Sequence, residues 1–303
     1  MKNILVVYYT QTGQQKELVD GILSPLLKSD DYNIDYFKIE PINDFPFPWT
    51  DNGFYDAMPE SVEGIPVPMK PFDIQGDYDL VVFAYQVWFL HPSIPFWSIL
   101  QDAKMKEFLQ GKKVITVMGV RNMWVNAHNR TTAYLEENNA NHIGNIVFAD
   151  PNSNFVSVLT VLKYLTTGVK KPYKNLPPYG IGESDMARLD VFGEYIINAF
   201  ADDNWNDLQS KIVENNGVAM DFPLKTTELA ASRIFKFWSS FVRKKGNAGD
   251  KSRRGRLKIY KVYLLFLIFF ISPFSTLVFK IVHFIFRPLT SKGLRRIALL
   301  QKK

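Results

Sequence analysis

The chain contains no cysteine among its 303 residues. This absence excludes disulfide bonds, thiolate catalysis and zinc or iron–sulfur centres held by cysteine, and we predict no metal site. The first residues also lack the basic region, apolar core and cleavage site of a secretory signal peptide, so we expect none. The net charge is +6, but the basic residues gather after Arg243, beside the most apolar stretch of the chain. This placement favours a membrane surface over a nucleic acid as the partner.

The first fifteen residues combine a strand, a short polar loop and the start of a helix. The apolar run from Ile4 to Tyr9 leads into Thr10-Gln11-Thr12-Gly13. The free N–H groups of a first helical turn, the helix dipole and two threonine hydroxyls suit a phosphate dianion, and glycine allows a close turn around it. No lysine follows the glycine, and the spacing differs from that of dinucleotide-binding sheets, so neither of those nucleotide sites is indicated. An ordinary turn with threonine N-caps is the alternative.

Strand and helix patterns alternate through residues 1–150. Apolar residues from Leu18 to Leu27 recur at helical spacing and mark the buried face of a first helix, which Pro25 should bend or shorten. The next segments are strand Asn33–Glu40, strand Asp79–Gln86, helix Ser93–Leu109, strand Lys112–Met118, helix Val125–Asn138 and strand Asn145–Asp150. This alternation predicts an α/β fold with a doubly wound, five-stranded parallel sheet.

Two segments interrupt the alternation. Residues 41–77, here called the lid segment, place seven prolines among aromatic residues, which forbids long regular elements. We predict that this segment forms a lid or wall over a ligand site; a loop packed on the side of the domain is the alternative. Residues 151–183 form an insertion with a helix candidate at Phe155–Leu165. Ser184 is then expected to cap the last helix of a domain that spans residues 1–203.

Three loops follow strands one, three and four. They contain Thr10–Gln15, Gln86–Phe89 and Gly119–Trp124. In an open parallel sheet a ligand lies outside the carboxyl ends of the strands, so the three loops are expected to border one crevice. The alternative for Trp88 and Phe89 is that they only cover the edge of the sheet.

The C-terminal third has a different character. Leu224–Val242 is amphipathic, as expected of a helix at a bilayer surface, and residues 204–258 form this helix and a flexible basic linker, Lys244–Lys258. Residues 259–303 form a hydrophobic anchor with a basic tail. Val262–Phe279 carries no charge and is about long enough to span a bilayer. Because Pro273 lies near its middle and both flanks are basic, we favour a re-entrant hairpin or a surface-embedded helix pair over a single transmembrane helix; a buried core helix is the third alternative.

The first loop resembles the phosphate loop of flavodoxins, with matches at Thr10, Thr12 and Gly13, whereas Gln15 replaces a residue that usually carries a hydroxyl. The second loop resembles a Gln-x-Trp-Phe-Gly-x-Pro segment of flavodoxin-like quinone reductases, with Leu90 in place of glycine. The resemblance implies a flavodoxin-like fold. It also implies an FMN site made of Thr10, Gln11, Thr12, Gly13, Gln14, Gln15, Gln86, Val87, Trp88, Phe89, Gly119, Val120, Arg121, Asn122, Met123 and Trp124.

Four longer strings are similar to those of a bacterial family of dialkylresorcinol condensing enzymes. They are Phe45–Thr50, Pro59–Pro66, Ala84–Trp88 and Arg121–Trp124, within residues 1–200. The resemblance implies flavin-dependent aromatisation of a 2,5-dialkylcyclohexane-1,3-dione to a dialkylresorcinol in flexirubin-type pigment biosynthesis. It implies a lipid-like dialkyl substrate, a ketosynthase III-type partner and a position at the cytoplasmic face of the inner membrane, anchored by residues 259–288. Because flavodoxin-like oxidoreductases often dimerise, a homodimer is a further expectation.

The chemistry of a cyclic 1,3-dione assigns roles to four residues. Such a dione ionises readily to an enolate, which Arg121 would hold by charge-assisted hydrogen bonds. FMN would accept a hydride, and His91, His128 or Tyr85 would take the remaining proton. The alternative for the histidines is an ordinary surface or core position.

Two other functions stay open from the sequence. One is a membrane-associated NAD(P)H:quinone oxidoreductase with a flavodoxin-like fold, for which no nicotinamide site is evident. The other is a non-catalytic scaffold for the condensing partner that has lost FMN, and Gln15 is the feature that supports it.

Overall fold

The computed structural model describes residues 1–171 and 173–301, and its centre is a parallel sheet of five strands. The seven strands are β1 (Lys2–Tyr8), β2 (Tyr32–Lys38), β3 (Leu80–Ala84), β4 (Val87–Trp88), β5 (His91–Pro92), β6 (Lys113–Val120) and β7 (Asn141–Ala149). The sheet order is β2-β1-β3-β6-β7, while β4 and β5 form a separate antiparallel hairpin. Counting only the sheet strands, this is the 2-1-3-4-5 order of flavodoxin-like folds. The predicted fold class is confirmed.

Helices cover both faces of the sheet, and further helices belong to the lid segment, the insertion and the C-terminal extension. The helices are α1 (Gln14–Leu23), α2 (Asp51–Asp56), α3 (Met58–Glu63), α4 (Ile94–Gln101), α5 (Ala103–Phe108), α6 (Val125–Glu137), α7 (Asn154–Thr167), α8 (Glu183–Met186), α9 (Asp190–Ala201), α10 (Leu208–Glu214), α11 (Phe222–Arg243), α12 (Arg254–Phe266), α13 (Ser272–Ile285) and α14 (Arg287–Ala298). Side chains alternate along each strand, so Val6 and Val82 face the core shared with α1, α9 and α10. Val7 and Phe83 face the core shared with α4, α5 and α6.

Several predicted boundaries were wrong. The helix expected over Ser93–Leu109 is broken at Asp102, which is extended and caps α5 by accepting a hydrogen bond from the Lys104 N–H. Ser184 is not a helix cap, because the short helix α8 already begins at Glu183 and the long helix α9 begins at Asp190. The last strand begins at Asn141, four residues before the predicted start. The predicted effect of Pro25 is confirmed, since α1 ends at Leu23.

The amphipathic helix α11 packs on the sheet domain along one face, and its contact with a bilayer stays a prediction. Its Phe235 and Trp238 are buried in a cluster with Tyr55 and Met58 of the lid segment and with Tyr260 of α12. Of the apolar residues that predicted a membrane face, Trp238 is buried in this cluster, Ile234 and Phe241 are half-buried against it, and Leu229 and Phe237 are exposed.

The predicted flexible linker Lys244–Lys258 is shorter and more ordered than expected. A 3-10 turn occupies Lys251–Arg253 and α12 starts at Arg254. The guanidinium of Arg253 is fully buried and pairs with both carboxylate oxygens of Glu60, at 2.8 Å each. Arg243 at the end of α11 pairs with the same carboxylate at 2.7 Å. This ion-pair cluster attaches the C-terminal extension to α3.

The apolar segment is one continuous helix from Lys251 to Ile285, not a re-entrant hairpin. Pro273 does not break the helix. Proline has no N–H to bond the carbonyl of Phe269, four residues earlier. Phe269 lies in a π turn at Leu267–Ile271, and this wider turn accommodates the missing bond. Among the described residues this is the one helix long and apolar enough to cross a membrane by length and composition, with an 18-residue window of mean hydropathy 2.3. Helix α14 then returns to the domain, where Gln209 Nε2 donates to the Ala298 carbonyl at 2.6 Å.

Candidate functional site

A cavity of about 240 Å³ lies at the carboxyl edge of the sheet. It is bordered by the loops after β1, β3 and β6, at the switch point between β1 and β3 where connections leave to opposite faces. The cavity wall contains, from these loops, Gln11, Thr12, Gln14, Gln15, Gln86, Val87, Trp88, Phe89, Leu90, Gly119, Val120, Arg121, Asn122 and Met123. The structure therefore brings the three predicted loops to one place. Of the predicted cofactor residues, Thr10, Gly13 and Trp124 lie outside the wall.

The first loop joins β1 to α1 as the sequence predicts. Gly13 has a φ of +86° and stands immediately before Gln14, the first residue of the helix. The N–H groups of the first turn of α1 therefore lie at this edge of the sheet. Thr12 and Tyr164 both lie in the cavity wall, and Thr10 Oγ1 is buried without a hydrogen-bond partner.

Gln15 has a structural role that the sequence did not indicate. Its side chain is buried, donates to the Gly119 carbonyl at 3.1 Å and accepts from the Gly119 N–H at 3.2 Å. A Cβ at Gly119 would lie 2.6 Å from Leu18 of α1, so glycine permits this close approach. Gln15 thus fixes the end of β6 to α1, and its amide is already satisfied without a ligand.

The second loop is a two-residue hairpin turn between β4 and β5. Both central residues, Phe89 and Leu90, have positive φ values of 48° and 68°, as a type I′ turn requires. Glycine adopts this conformation without strain, which explains why glycine suits the position that Leu90 occupies here. Trp88 packs edge-on against Trp49 with ring centroids 5.4 Å apart, and Gln86 Oε1 is buried without a partner.

The third loop contributes a cation. Arg121 lies in the cavity wall with protein on its other sides, and burial lowers its pKa to about 10. Its Nη1 donates to Asn154 Oδ1 at 2.7 Å, and Asn122 Nδ2 donates to the same oxygen at 2.8 Å. Arg121 is the one charged side chain of the wall among the described residues. Trp124 turns away, with its Nε1 donating to the Ala219 carbonyl at 2.7 Å.

The lid segment borders the cavity, in agreement with the predicted wall. Trp49, Phe54 and Tyr55 line it. The indole N–H of Trp49 donates to Gln11 Oε1 at 3.2 Å, and Gln11 Nε2 donates to the Phe45 carbonyl at 3.3 Å. These bonds connect the lid directly to the first loop.

The sequence missed the far wall. It is formed by Val158, Val161, Leu162, Tyr164 and Leu165 of α7, by Tyr179, by Phe235 of α11 and by Leu264, Leu265 and Ile268 of the apolar helix. The spacing of the α7 residues is that of one helix face, a signal that indicates burial but not the cavity. No sequence pattern pointed to Tyr179 or to α12.

The structure does not bring Tyr85, His91 or His128 into the cavity wall. The Tyr85 ring stacks on Phe96 in the core at 4.1 Å, and burial raises its pKa. His91 Nδ1 lies 2.9 Å from the Phe89 carbonyl, and burial lowers the pKa of His91 to about 4. His128 is buried behind the third loop, where burial lowers its pKa to about 3. Arg121 is the one predicted catalytic residue at the cavity.

No protein-family model and no curated protein match the chain. Solved structures do. A flavoprotein in complex with FMN from Lactobacillus acidophilus NCFM has 19% identity and a TM-score of 0.38, over 48% of this chain and 93% of that chain. A putative flavoprotein from Bacteroides uniformis ATCC 8492 has 13% identity and a TM-score of 0.39, over 56% and 99% of the two chains. Two-electron reduced Megasphaera elsdenii flavodoxin has 16% identity and a TM-score of 0.29, over 48% and 84%. Since these TM-scores lie below 0.5, the fold rests on the strand order described above.

Proposed function

We propose that this chain binds FMN in the cavity and uses it to aromatise a 2,5-dialkylcyclohexane-1,3-dione to a dialkylresorcinol. The observation that carries the flavin proposal is a set of three polar atoms without partners. Thr10 Oγ1, Gln86 Oε1 and Asn122 Oδ1 are all buried and unbonded. They follow β1, β3 and β6, three neighbouring strands of the sheet. Buried polar groups are rarely left unpaired, and Gln86 and Asn122 lie in the cavity wall, so these groups are typical of a site that receives a polar ligand.

The residues present fit FMN in two ways. The ring system of a flavin has a polar edge of carbonyl and N–H groups, which can bond to hydroxyl and amide groups of the kind left unpaired here. Its phosphate suits the N-terminus of α1, where Gly13, Thr12 and Gln14 lie. We assign the phosphate to these residues and to the first-turn N–H groups. Gln15 is excluded, because its amide already bonds Gly119 at both ends.

The fold supports the same location. In folds with the 2-1-3-4-5 strand order, FMN binds at the switch point between the first and third strands. The cavity occupies this position. The Lactobacillus acidophilus flavoprotein is itself in complex with FMN, which agrees with the proposal, although the likeness is too weak to carry it.

The substrate ring is assigned to the neighbourhood of Arg121. A cyclic 1,3-dione loses a proton readily, and its enolate spreads one negative charge over two oxygens. Arg121 forms no salt bridge among the described residues, although the Asp150 carboxylate is near enough to raise its pKa, and its guanidinium can stabilise such an anion by charge-assisted hydrogen bonds. The surrounding aromatic wall of Trp49, Trp88 and Phe54 keeps water away and strengthens this interaction.

The dione and the resorcinol differ by two hydrogen atoms. The first leaves as a proton when the dione ionises, and the second leaves as a hydride, which gives a neutral dienone that tautomerises to the resorcinol. When bound, FMN supplies the hydride acceptor. Among the described residues the cavity wall holds no carboxylate and no imidazole, and the enolate route needs no protein base. Burial raises the pKa of the Tyr179 phenol, so Tyr179 stays protonated and is suited to donate to a ring oxygen.

The test uses the full-length chain purified in mild detergent and titrated with FMN. A 2,5-dialkylcyclohexane-1,3-dione is then added without oxygen while the visible spectrum is recorded. We expect saturable FMN binding, bleaching of the flavin by the dione and an equal amount of resorcinol by mass spectrometry. Arg121→Met should bind FMN but bleach at least tenfold more slowly, whereas the matched surface variant Arg233→Met should behave as the unaltered chain.

Other outcomes would contradict the proposal. A chain that fails to bind FMN would support the non-catalytic scaffold. A bound flavin that NAD(P)H reduces and a quinone reoxidises, with no response to the dione, would support the quinone oxidoreductase.

A further inference from the structure

Charge is divided unevenly along the chain. Of the 36 Lys and Arg residues, 16 lie after Val242, but only one of the 30 acidic residues, Asp250, does so. Arg254 and Arg256 lie in the helix before its apolar stretch, and Arg287 and Arg295 follow the helix. The extension is thus strongly basic at both ends of an apolar segment, which suits a bilayer that contains anionic lipids.

The continuous helix has an exposed apolar face, here called the outer stripe. Its residues recur every three or four positions, and each is between 49% and 83% exposed: Ile259, Val262, Phe266, Phe270, Phe274, Leu277, Ile281 and Phe284. A stripe of this length and hydrophobicity is unfavourable in water, since each large apolar side chain gains free energy on burial.

The opposite face of the same helix contacts the domain near its start, at its middle and near its end. Near its start, Tyr260 is buried against Trp238, with ring centroids 5.6 Å apart. At its middle, Ser272 Oγ accepts from Asn154 Nδ2 at 3.1 Å.

The far end of the helix is also attached. The His283 ring stacks on Phe222, with centroids 5.2 Å apart, and α14 then bonds to Gln209. A helix crossing a bilayer would lose these contacts, whereas a helix lying in the interface keeps them and immerses only its outer stripe.

The cavity lies directly beneath this helix. Leu264, Leu265 and Ile268 line the cavity on the inner side, within the same turns that expose Phe266 and Phe270 on the outer side. The thickness of one helix, about 10 Å, therefore separates the stripe from the cavity. The part of the cavity wall that α7 and α12 contribute is largely apolar, with Val158, Val161, Leu162 and Leu165 from α7 and Leu264 and Leu265 from α12; we call this part the apolar arm.

We propose that the helix Lys251–Ile285 lies in the plane of an anionic bilayer without crossing it, and that the apolar arm holds an alkyl chain that enters from that bilayer. This inference rests on the proposed function, because the chain would belong to the substrate whose ring is held at Arg121. It adds a membrane topology and a binding site for the substrate chain.

The topology is tested by labelling single cysteines, for which the cysteine-free chain is a clean background. Asn247→Cys and Gln301→Cys lie on either side of the helix and are exposed. Each variant is added to preformed, sealed vesicles of phosphatidylcholine and phosphatidylglycerol and treated with a membrane-impermeant maleimide. We expect full labelling of both sites from outside. Protection of Gln301→Cys until the vesicles are lysed would show a crossing helix and overturn the in-plane topology.

The stripe is tested by flotation on the same vesicles. The double variant Phe266→Ser/Phe270→Ser should lower the vesicle-bound fraction more than tenfold, as two lost phenylalanines predict, and should keep FMN binding in detergent. The control Leu27→Ser/Ile42→Ser alters two residues of similar exposure on the sheet domain and should float normally. If the stripe variant floats normally but changes from dimer to monomer, a second copy covers the stripe and the membrane proposal is wrong.

The apolar arm is tested with a fatty acid that carries a diazirine at its chain end, mixed into the vesicles and cross-linked by light. We expect labelled peptides from α7 as well as from the outer stripe. Val161→Trp should fill the arm and lower α7 labelling at least tenfold, with unchanged stripe labelling as the internal control. Labelling of the outer stripe alone would show that the apolar arm does not hold an alkyl chain. FMN binding is measured separately. If the protein binds FMN but α7 is not labelled, only the alkyl-chain site is contradicted. If α7 is labelled but the protein does not bind FMN, the proposed function is contradicted.

Discussion

The carboxylate of Glu228 accepts a hydrogen bond of 2.7 Å from the backbone N–H of Asn126. It also accepts one of 3.1 Å from the Val125 N–H, so a side chain of α11 caps the N-terminus of α6. Helix α6 starts directly after the third cavity loop, Gly119–Trp124. The C-terminal extension therefore holds the helix that positions this loop.

The first prediction concerns pH. Burial raises the pKa of Glu228 to about 7 from its usual 4.5. Because the folded chain holds this proton more tightly than the unfolded chain, its contribution to stability is complete below about pH 4.5 and is lost as pH rises to about 7. Relative to Glu228→Gln, the unaltered chain should lose on the order of 3 kcal/mol of unfolding free energy between pH 4.5 and 8.

Denaturant unfolding of the unaltered protein and of Glu228→Gln between pH 4.5 and 8 measures this difference in unfolding free energy. Other groups titrate equally in both proteins, so their contributions cancel. Parallel pH profiles would show that Glu228 is ionised throughout.

The second prediction concerns Arg121, whose pKa is lowered by burial and raised by Tyr179 and the carboxylate of Asp150. Arg121→Met removes a desolvated charge but also the cation near the buried Asp150, so the unfolding free energy should change by less than about 2 kcal/mol. Asn154 Oδ1 keeps its hydrogen bond from Asn122, so no new unpaired group results. The KM for a dione should rise about 10- to 100-fold, the range expected for a lost charge-assisted hydrogen bond. Thermal unfolding and steady-state kinetics measure the two effects, and a destabilised variant with unchanged KM would exclude an anion-binding role.

The third prediction separates two neighbouring glutamines. Gln15→Ala should cost about 2–3 kcal/mol, because it leaves both backbone polar groups of Gly119 unpaired at a buried strand end. Gln14→Ala should change stability by less than about 0.5 kcal/mol but weaken FMN binding if the amide contacts the phosphate. Chemical unfolding and FMN titration of both variants decide this. Equal stabilities would refute the bridging role of Gln15.

The fourth prediction concerns the ion-pair cluster. Arg253→Met leaves Glu60 with Arg243 alone and removes the ion-pair partner of Asp56, and it should cost about 3–5 kcal/mol. Adding Glu60→Gln should recover part of this loss, since the excess negative charge at this place is then smaller. A double-mutant cycle by denaturant unfolding measures the coupling. Additive effects of the two substitutions would show that the pair is not energetically linked.

The sheet domain was predictable because its signals are local. Buried parallel strands give continuous apolar runs such as Leu80–Ala84, and α1 gives a clear helical spacing. The break at Asp102 was missed because a short polar side chain can cap a new helix as easily as it can lie within a longer one. The continuity of the helix through Pro273 was missed for a similar reason, since a π turn accommodates proline without a signal in the sequence.

The cavity was only half predictable. The three loops after the strands could be placed because parallel strands all end at the same edge. The far wall depends on tertiary contacts: α7 and α12 are separated by nearly a hundred residues and meet only in the folded chain. The histidines failed as site residues because burial, which the sequence does not show, places His128 behind the third loop instead of at the cavity.

The uneven division of charge has a kinetic consequence. A domain with excess acidic residues joined to a basic extension is an electric dipole with its positive end at the extension that bears the outer stripe. Near a negatively charged bilayer such a molecule rotates before contact, so a larger share of encounters begins with the stripe facing the lipid. This alignment is screened over about 8 Å at physiological ionic strength. The rate of association should therefore fall with added salt, while the rate of dissociation, set by immersed apolar side chains, should change little.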